Sequence, residues 1–101
     1  MGQRLDLQTL LETLLGSEDV YFQPPASVLM VYPCIVYERY IAKTEFADDL
    51  PYTYDECYQV TVIDRDPDSL VPKKIAALPK CRKNRFFVAN NLNHDVFNLY
   101  Y

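Results

Sequence analysis

The chain has 101 residues, half of them hydrophobic, which is enough for the core of one domain and too little for two. Its net charge of −4 argues against a general binder of polyanions, and no apolar run approaches the roughly 20 residues that a membrane-spanning helix needs. Nine Tyr and five Phe without a Trp make tyrosine the dominant aromatic; its apolar ring and wet hydroxyl are enriched where subunits meet.

Residues 3–15 are predicted as a helix. Leu5, Leu7, Leu10, Leu11, Leu14 and Leu15 form a wide apolar stripe at helical spacing, to be packed on a sheet or a neighbouring subunit, and Gly16 is placed to end it. Residues 17–19 read as a polar turn and 20–23 as a short strand halted by Pro24 and Pro25. Residues 26–32 fit a turn of helix or an irregular connection equally, and Pro33 keeps Tyr32 extended. A strand follows over 34–40, then a polar connection over 43–51 carrying Glu45, Asp48 and Asp49, then a longer strand over about 52–64. In that strand the alternating, β-branched run from Gln59 to Ile63 suits a half-buried pleated surface. With no helix between them, the two strands should pair as an antiparallel hairpin. Their long acidic connection is of the kind that carries function or moves.

Residues 64–69 read as a turn and a helix start, with Asp66 as N-cap and Asp68 and Ser69 in the first turn, where the helix dipole favours negative charge. The second helix is predicted over 67–78, with Leu70, Val71, Ile75 and Leu78 on one face and Pro79 closing it. Pro72 lies within the first turns, so a later start fits as well. Residues 81–89 and 95–101 are the last two strands, joined by an Asn-rich connection, 90–94, suited to positive φ. The order α-β-β-β-α-β-β predicts an α+β fold: one domain over 1–101, with a mostly antiparallel four- to five-stranded sheet and two helices packed on it.

The charge is unevenly spread. Lys73, Lys74, Lys80, Arg82, Lys83 and Arg85 carry +6 with no acid among them, so the whole-chain charge of −4 leaves −10 for the remainder. Such a chain suits stacking on copies of itself or on a partner of opposite sign, as well as a plain solvated face. No nucleic-acid motif accompanies the basic window. Cys34, Cys57 and Cys81 are an odd number without close spacing, which fits small buried thiols in a reducing setting rather than a disulfide framework. The opening Met-Gly-Gln-Arg-Leu-Asp lacks the apolar run of a secretory signal, and Asp6 breaks the myristoylation pattern.

Catalytic and metal patterns are thin. His94 sits in the expected turn, and Asp95, its sequence neighbour, is badly placed to orient the ring for a Cys–His pair. The ligand pairs of a zinc site are missing, and with only Gly2 and Gly16 there is no phosphate-cradling loop. Asp64, Asp66 and Asp68 alternate as in a calcium loop but lack its central Gly and distal Glu, so capping explains them better. No catalytic residue, metal or cofactor is predicted.

Three stretches, Tyr32-Pro-Cys-Ile-Val-Tyr-Glu-Arg39, Val60-Thr-Val-Ile-Asp-Arg-Asp-Pro-Asp-Ser69 and Asn90-Asn-Leu-Asn-His-Asp-Val-Phe-Asn-Leu-Tyr100, resemble small neck and tail proteins of long-tailed bacteriophages. The likeness is nearest to tail terminator (tail completion, head-tail joining) proteins and spans about residues 20–101. It implies a non-enzymatic homo-oligomeric ring, typically of six, assembled in the host cytoplasm and resident at the tail top of the virion. Such a ring caps the tail tube, ends its polymerisation and joins it to head-completion and neck proteins, while DNA passes through the channel without sequence-specific binding. On that reading Glu45, Asp48 and Asp49 form a candidate channel loop, negative charge keeping DNA off the wall, or equally a subunit or head-side contact. Leu7, Leu11 and Leu14 of the first helix, with Lys73, Lys74, Lys80, Arg82, Lys83 and Arg85, become candidate subunit or partner contacts. The alternatives are a head-completion or stopper neck protein and, further off, a small DNA-binding phage protein.

Overall fold

The computed structural model describes residues 4–25, 27, 29–40 and 57–101. Their order is α1 (Arg4–Leu15), β1 (Val20–Phe22), β2 (Cys34–Arg39), β3 (Cys57–Asp64), α2 (Val71–Ala76), β4 (Cys81–Ala89) and β5 (Leu92–Tyr100). The five strands form one sheet in the order β1-β2-β3-β5-β4. β2, β3, β5 and β4 pair antiparallel in succession, and β1 pairs parallel with β2. The protein is therefore α+β, with a mixed, mostly antiparallel sheet and both helices on one face of it.

α1 turns its stripe onto the sheet. Leu7 and Leu11 are fully buried against Val20, Ile35, Tyr37, Tyr58, Val60, Val62, Phe97 and Leu99, and α2 adds Ile75. The alternation of strands explains the choice: Ile35 and Tyr37 stand opposite Val62 and Val60, and Tyr58 and Val60 opposite Leu99 and Phe97, so one face of three strands is continuous and apolar. Tyr37 is the polar hub of this core. Its hydroxyl donates to Gln8 Oε1 at 2.7 Å and accepts from Arg4 at 3.3 Å. Its ring meets Phe22 at 4.9 Å and Tyr58 at 5.9 Å between centroids. α1 ends as expected: the Gly16 amide donates to the Glu12 carbonyl at 2.8 Å, with Gly16 at φ +86°, a conformation that strains any residue with a Cβ.

Several boundaries differ from those read in the sequence. α2 begins at Val71, not 67, and Asp66 is not its cap; Leu70 holds the N-cap position with no side-chain bond. The acidic stretch makes two successive local turns instead, the Asp66 amide donating to Asp64 Oδ1 and the Asp68 amide to Asp66 Oδ1, each at 2.9 Å. Pro72 near the helix start favours this later beginning, since a ring that lacks an N–H belongs in the first turn. β5 begins at Leu92, not 95, because Asn90 and Asn91 (φ +54° and +62°) close a two-residue hairpin pairing Ala89 with Leu92. His94 is thus a strand residue. The strand predicted over 52–64 is described from Cys57 onward, and its first part lies outside the described residues.

The burial of α1 has a direct test. Leu11→Ala should cost about 2–5 kcal/mol in urea unfolding, whereas Leu5→Ala, at a position 65% exposed, should stay within about 0.5 kcal/mol. Equal small effects would mean that the stripe faces a neighbouring subunit instead of this core.

Candidate functional site

The two edges of the sheet are built differently. β1 is three residues long, and the outward-facing backbone groups of Val20 are already satisfied: the Val20 amide donates to the Glu18 carbonyl at 2.8 Å, and the Val20 carbonyl accepts from Gln8 Nε2 at 3.1 Å. β4 is nine residues long, and every residue from Arg82 to Val88 is exposed. The Tyr100 amide donates to the Lys80 carbonyl at 3.1 Å, and alternation from that bond turns the backbone groups of Cys81 and Lys83, and beyond the bulge those of Phe86 and Val88, away from β5. A long exposed edge of this kind is a template for a further strand.

Side chains along β4 form a basic and aromatic rim. The register shifts between Lys83 and Arg85, so Asn84 is an extra residue, and its Nδ2 donates to Asn98 Oδ1 at 3.2 Å. The shift places Arg82 and Arg85 on the same side of the sheet, opposite Asn98 and Val96, with Phe87 beyond them opposite His94. Arg85 lies 5.3 Å from the Phe87 ring centre, and Phe87 stacks on His94 at 4.5 Å and 12°. On the helix side Lys83 pairs with Asp95 at 2.9 Å. Half of the Lys83 side chain is in water, so this pair contributes at most about 1 kcal/mol. Phe86 and Val88 are 53% and 59% exposed.

The face of the sheet turned away from the helices carries an open groove of about 350 Å³. Val36, Gln59, Thr61, Ile63 and Val96 line it along the strands, Pro24, Pro25 and Met30 border it, and Arg85, Phe87 and His94 bring it up to the β4 rim. The connection that carries Met30 is fastened by the Val31 amide donating to the Tyr21 hydroxyl at 3.2 Å.

Of the residues singled out in the sequence, Lys80, Arg82, Lys83 and Arg85 come together around the β4 edge, while Lys73 and Lys74 project from α2. Leu7 and Leu11 do not serve as contacts: both are spent on the chain's own core, and Leu14 is partly buried against it. Glu45, Asp48 and Asp49 lie outside the described residues. Phe86, Phe87 and Val88 were missed by pattern reading, although three consecutive apolar residues in a strand cannot all face one core.

The nucleophile possibility is separated by geometry. Cys34 and His94 both pair with Ile63, from opposite sides, which puts them two strand spacings, about 10 Å, apart. Burial, reinforced by the carboxylates of Asp19 and Asp64, pushes the Cys34 thiol from its ordinary 9.0 up to about 12. Among the described residues no group of three or more His, Cys, Asp or Glu is arranged to hold a metal. No helix among them is long and apolar enough to cross a membrane.

No protein-family model, no curated protein and no solved structure matches this chain.

The Cys34 environment predicts an alkaline stability slope. The unfolded chain releases this proton from pH 9, while the folded chain holds it to about 12. Stability is therefore complete below pH 9 and falls through that window by up to about 1.4 kcal/mol per pH unit. Cys34→Ala should flatten the slope measured by urea unfolding between pH 8 and 11; an unchanged slope would remove Cys34 as its source.

Proposed function

We propose that this chain is a structural subunit of a phage neck, a tail terminator that assembles into a ring, caps the tail tube and joins it to the head. The observation that carries the reading is the long, exposed β4 edge with Phe86, Phe87 and Val88 uncovered beside it. Uncovered apolar side chains next to an open strand mark a surface that is finished by association. The opposed edge at β1 is only three residues long and has the outward groups of Val20 bonded within the chain, so the two edges differ, as those of a subunit joined head to tail do. The resemblance of the three sequence stretches to phage neck proteins supplies the setting, the virion, and the partners, tail tube and neck proteins.

A second reading draws on the basic residues around β4. A small DNA-binding phage protein would set Arg82, Lys83 and Arg85 on phosphates, and its binding would fall steeply with salt. The net charge of −4 and the pairing of Lys83 with Asp95 weigh against it.

Light scattering over a concentration series, with and without tail tube protein, separates these readings. A closed ring, formed alone or on adding tube protein, is the expected outcome. A chain that stays monomeric in both conditions and binds duplex DNA with a steep salt dependence would replace the terminator reading with the regulatory one.

A further inference from the structure

We propose that two copies of this chain join edge to edge through β4, antiparallel, with Phe87 of one opposite Phe87 of the other. Such a contact closes on two copies, so it goes beyond the ring reading. It is the form in which the free chain covers this edge, and any ring built through β4 has to displace it.

Occupant and register both follow from β4 itself. In antiparallel pairing, a residue whose backbone groups face outward must meet another such residue. Beyond the bulge these are Phe86 and Val88, since Arg85, Phe87 and Ala89 turn their groups to β5. A two-fold axis at Phe87 sets Phe86 of each copy opposite Val88 of the other, so that each such pair exchanges two backbone bonds. Charge selects the same axis. An axis at Arg85 opposes two arginines directly, and one at Phe86 leaves them about 7 Å apart along the strands. With the axis at Phe87, Arg85 faces Ala89 of the second copy, and the two Arg85 positions are about 13 Å apart, beyond the roughly 8 Å screening length at physiological salt. An axis at Val88 moves Phe86 opposite Asn90 in the hairpin turn, where strand pairing ends. β1 of a second copy offers less, being three residues long with the outward groups of Val20 bonded within its own chain.

The exposed apolar side chains are matched by this register. Phe86 and Val88 stand on the helix side of the sheet, so the same two residues of both copies form one apolar cluster there. On the other face the two Phe87 residues meet at the closer, non-bonded spacing of about 4.5 Å between Cα atoms, each ring still backed by its own His94. Arg85, already 5.3 Å from its own Phe87 ring centre, is diagonal to Phe87 of the second copy, a separation that long side chains bridge. The size of the contact sets its strength. Phe86 and Phe87 are 53% and 37% exposed, which over two copies amounts to about 270–450 Å² of aromatic surface. A contact of a few residues a side stays below the roughly 1,200 Å² at which stable interfaces begin, so the dimer is reversible, dissociating in the micromolar range or above.

Sedimentation of the full chain over a concentration series, without tail tube protein, should show a reversible monomer–dimer equilibrium. Val88→Pro removes an outward-facing amide while leaving the pairing with β5, and Phe87→Glu sets two carboxylates opposite each other at the axis. Each should raise the dissociation constant about tenfold or more. Circular dichroism melts establish that the variants are folded. Phe87→Cys and Arg85→Cys read the register under copper phenanthroline oxidation. The first should cross-link two copies well above the level of the unaltered chain, whereas the second, about 13 Å from its mate, should not. A chain that is monomeric throughout, a dimer indifferent to Val88→Pro and Phe87→Glu, or cross-linking at position 85 equal to that at 87 would overturn the contact. Adding tail tube protein tests the ring reading separately. A dimer that never becomes a ring overturns only the ring, and a ring formed by a chain with no dimer in its free state overturns only the dimer.

Discussion

The hydroxyl of Tyr37 is the constraint on which the arrangement of this protein turns. It is carried into a fully buried position by a strand whose neighbours are Ile35, Val60 and Val62, and a buried hydroxyl left without partners would cost on the order of 1–3 kcal/mol. Gln8 and Arg4 meet that demand from α1, fixing how the helix lies across the sheet as well as that it packs there. Arg4 also lies 4.4 Å from the Phe22 ring centre, and Gln8 donates a second bond to Glu12 at 2.9 Å, so the residues satisfying Tyr37 are themselves held. The leucine stripe provides the driving force; the tyrosine hydroxyl provides the register.

The consequences extend to the sheet edges. Gln8 is positioned by Tyr37 and spends its remaining donor on the Val20 carbonyl, which occupies an outward-facing acceptor of the β1 edge. No helix or strand among the described residues does the same for β4. The sheet thus ends in one short border, partly bonded within the chain, and one long exposed border, where Arg82, Lys83, Arg85 and the uncovered Phe86 and Val88 collect. A bulge at Asn84 gathers Arg82 and Arg85 on one side of that border, a grouping that a regular strand would forbid at their odd spacing. Open strands with apolar neighbours are hazards unless something covers them, which gives the border its interest.

Residues with chemical potential are kept apart by the same sheet. Ile63 stands between Cys34 and His94, and His94 spends one ring face on Phe87. Asp95 points to the other side and pairs with Lys83. The Cys81 thiol and the Tyr100 hydroxyl are also pushed above their ordinary ranges, chiefly by burial, so these groups are held neutral instead of activated.

The sequence by itself determined the element order, the α+β class and the antiparallel hairpins, because these depend on local periodicity: leucines at helical spacing, β-branched alternation from Gln59 to Ile63, and an Asn pair free to take positive φ. It also marked the thiols as small and buried, which holds for Cys34 and Cys57 while Cys81 is partly exposed, and it marked a basic window, which the fold divides between α2 and β4. Tertiary structure decided the rest. The parallel pairing of β1 with β2 depends on where α1 lands, not on any property of Val20, Tyr21 or Phe22 alone. The late start of α2 reflects competition between Asp66 as a helix cap and Asp66 as a turn former, which propensity does not resolve. Leu7 and Leu11 are identical in pattern whether they face a sheet or a second subunit, and only the packed core assigns them inward. The outward carbonyl of Val20 is met by one glutamine bond, a contact twelve residues apart in the chain that no periodicity encodes.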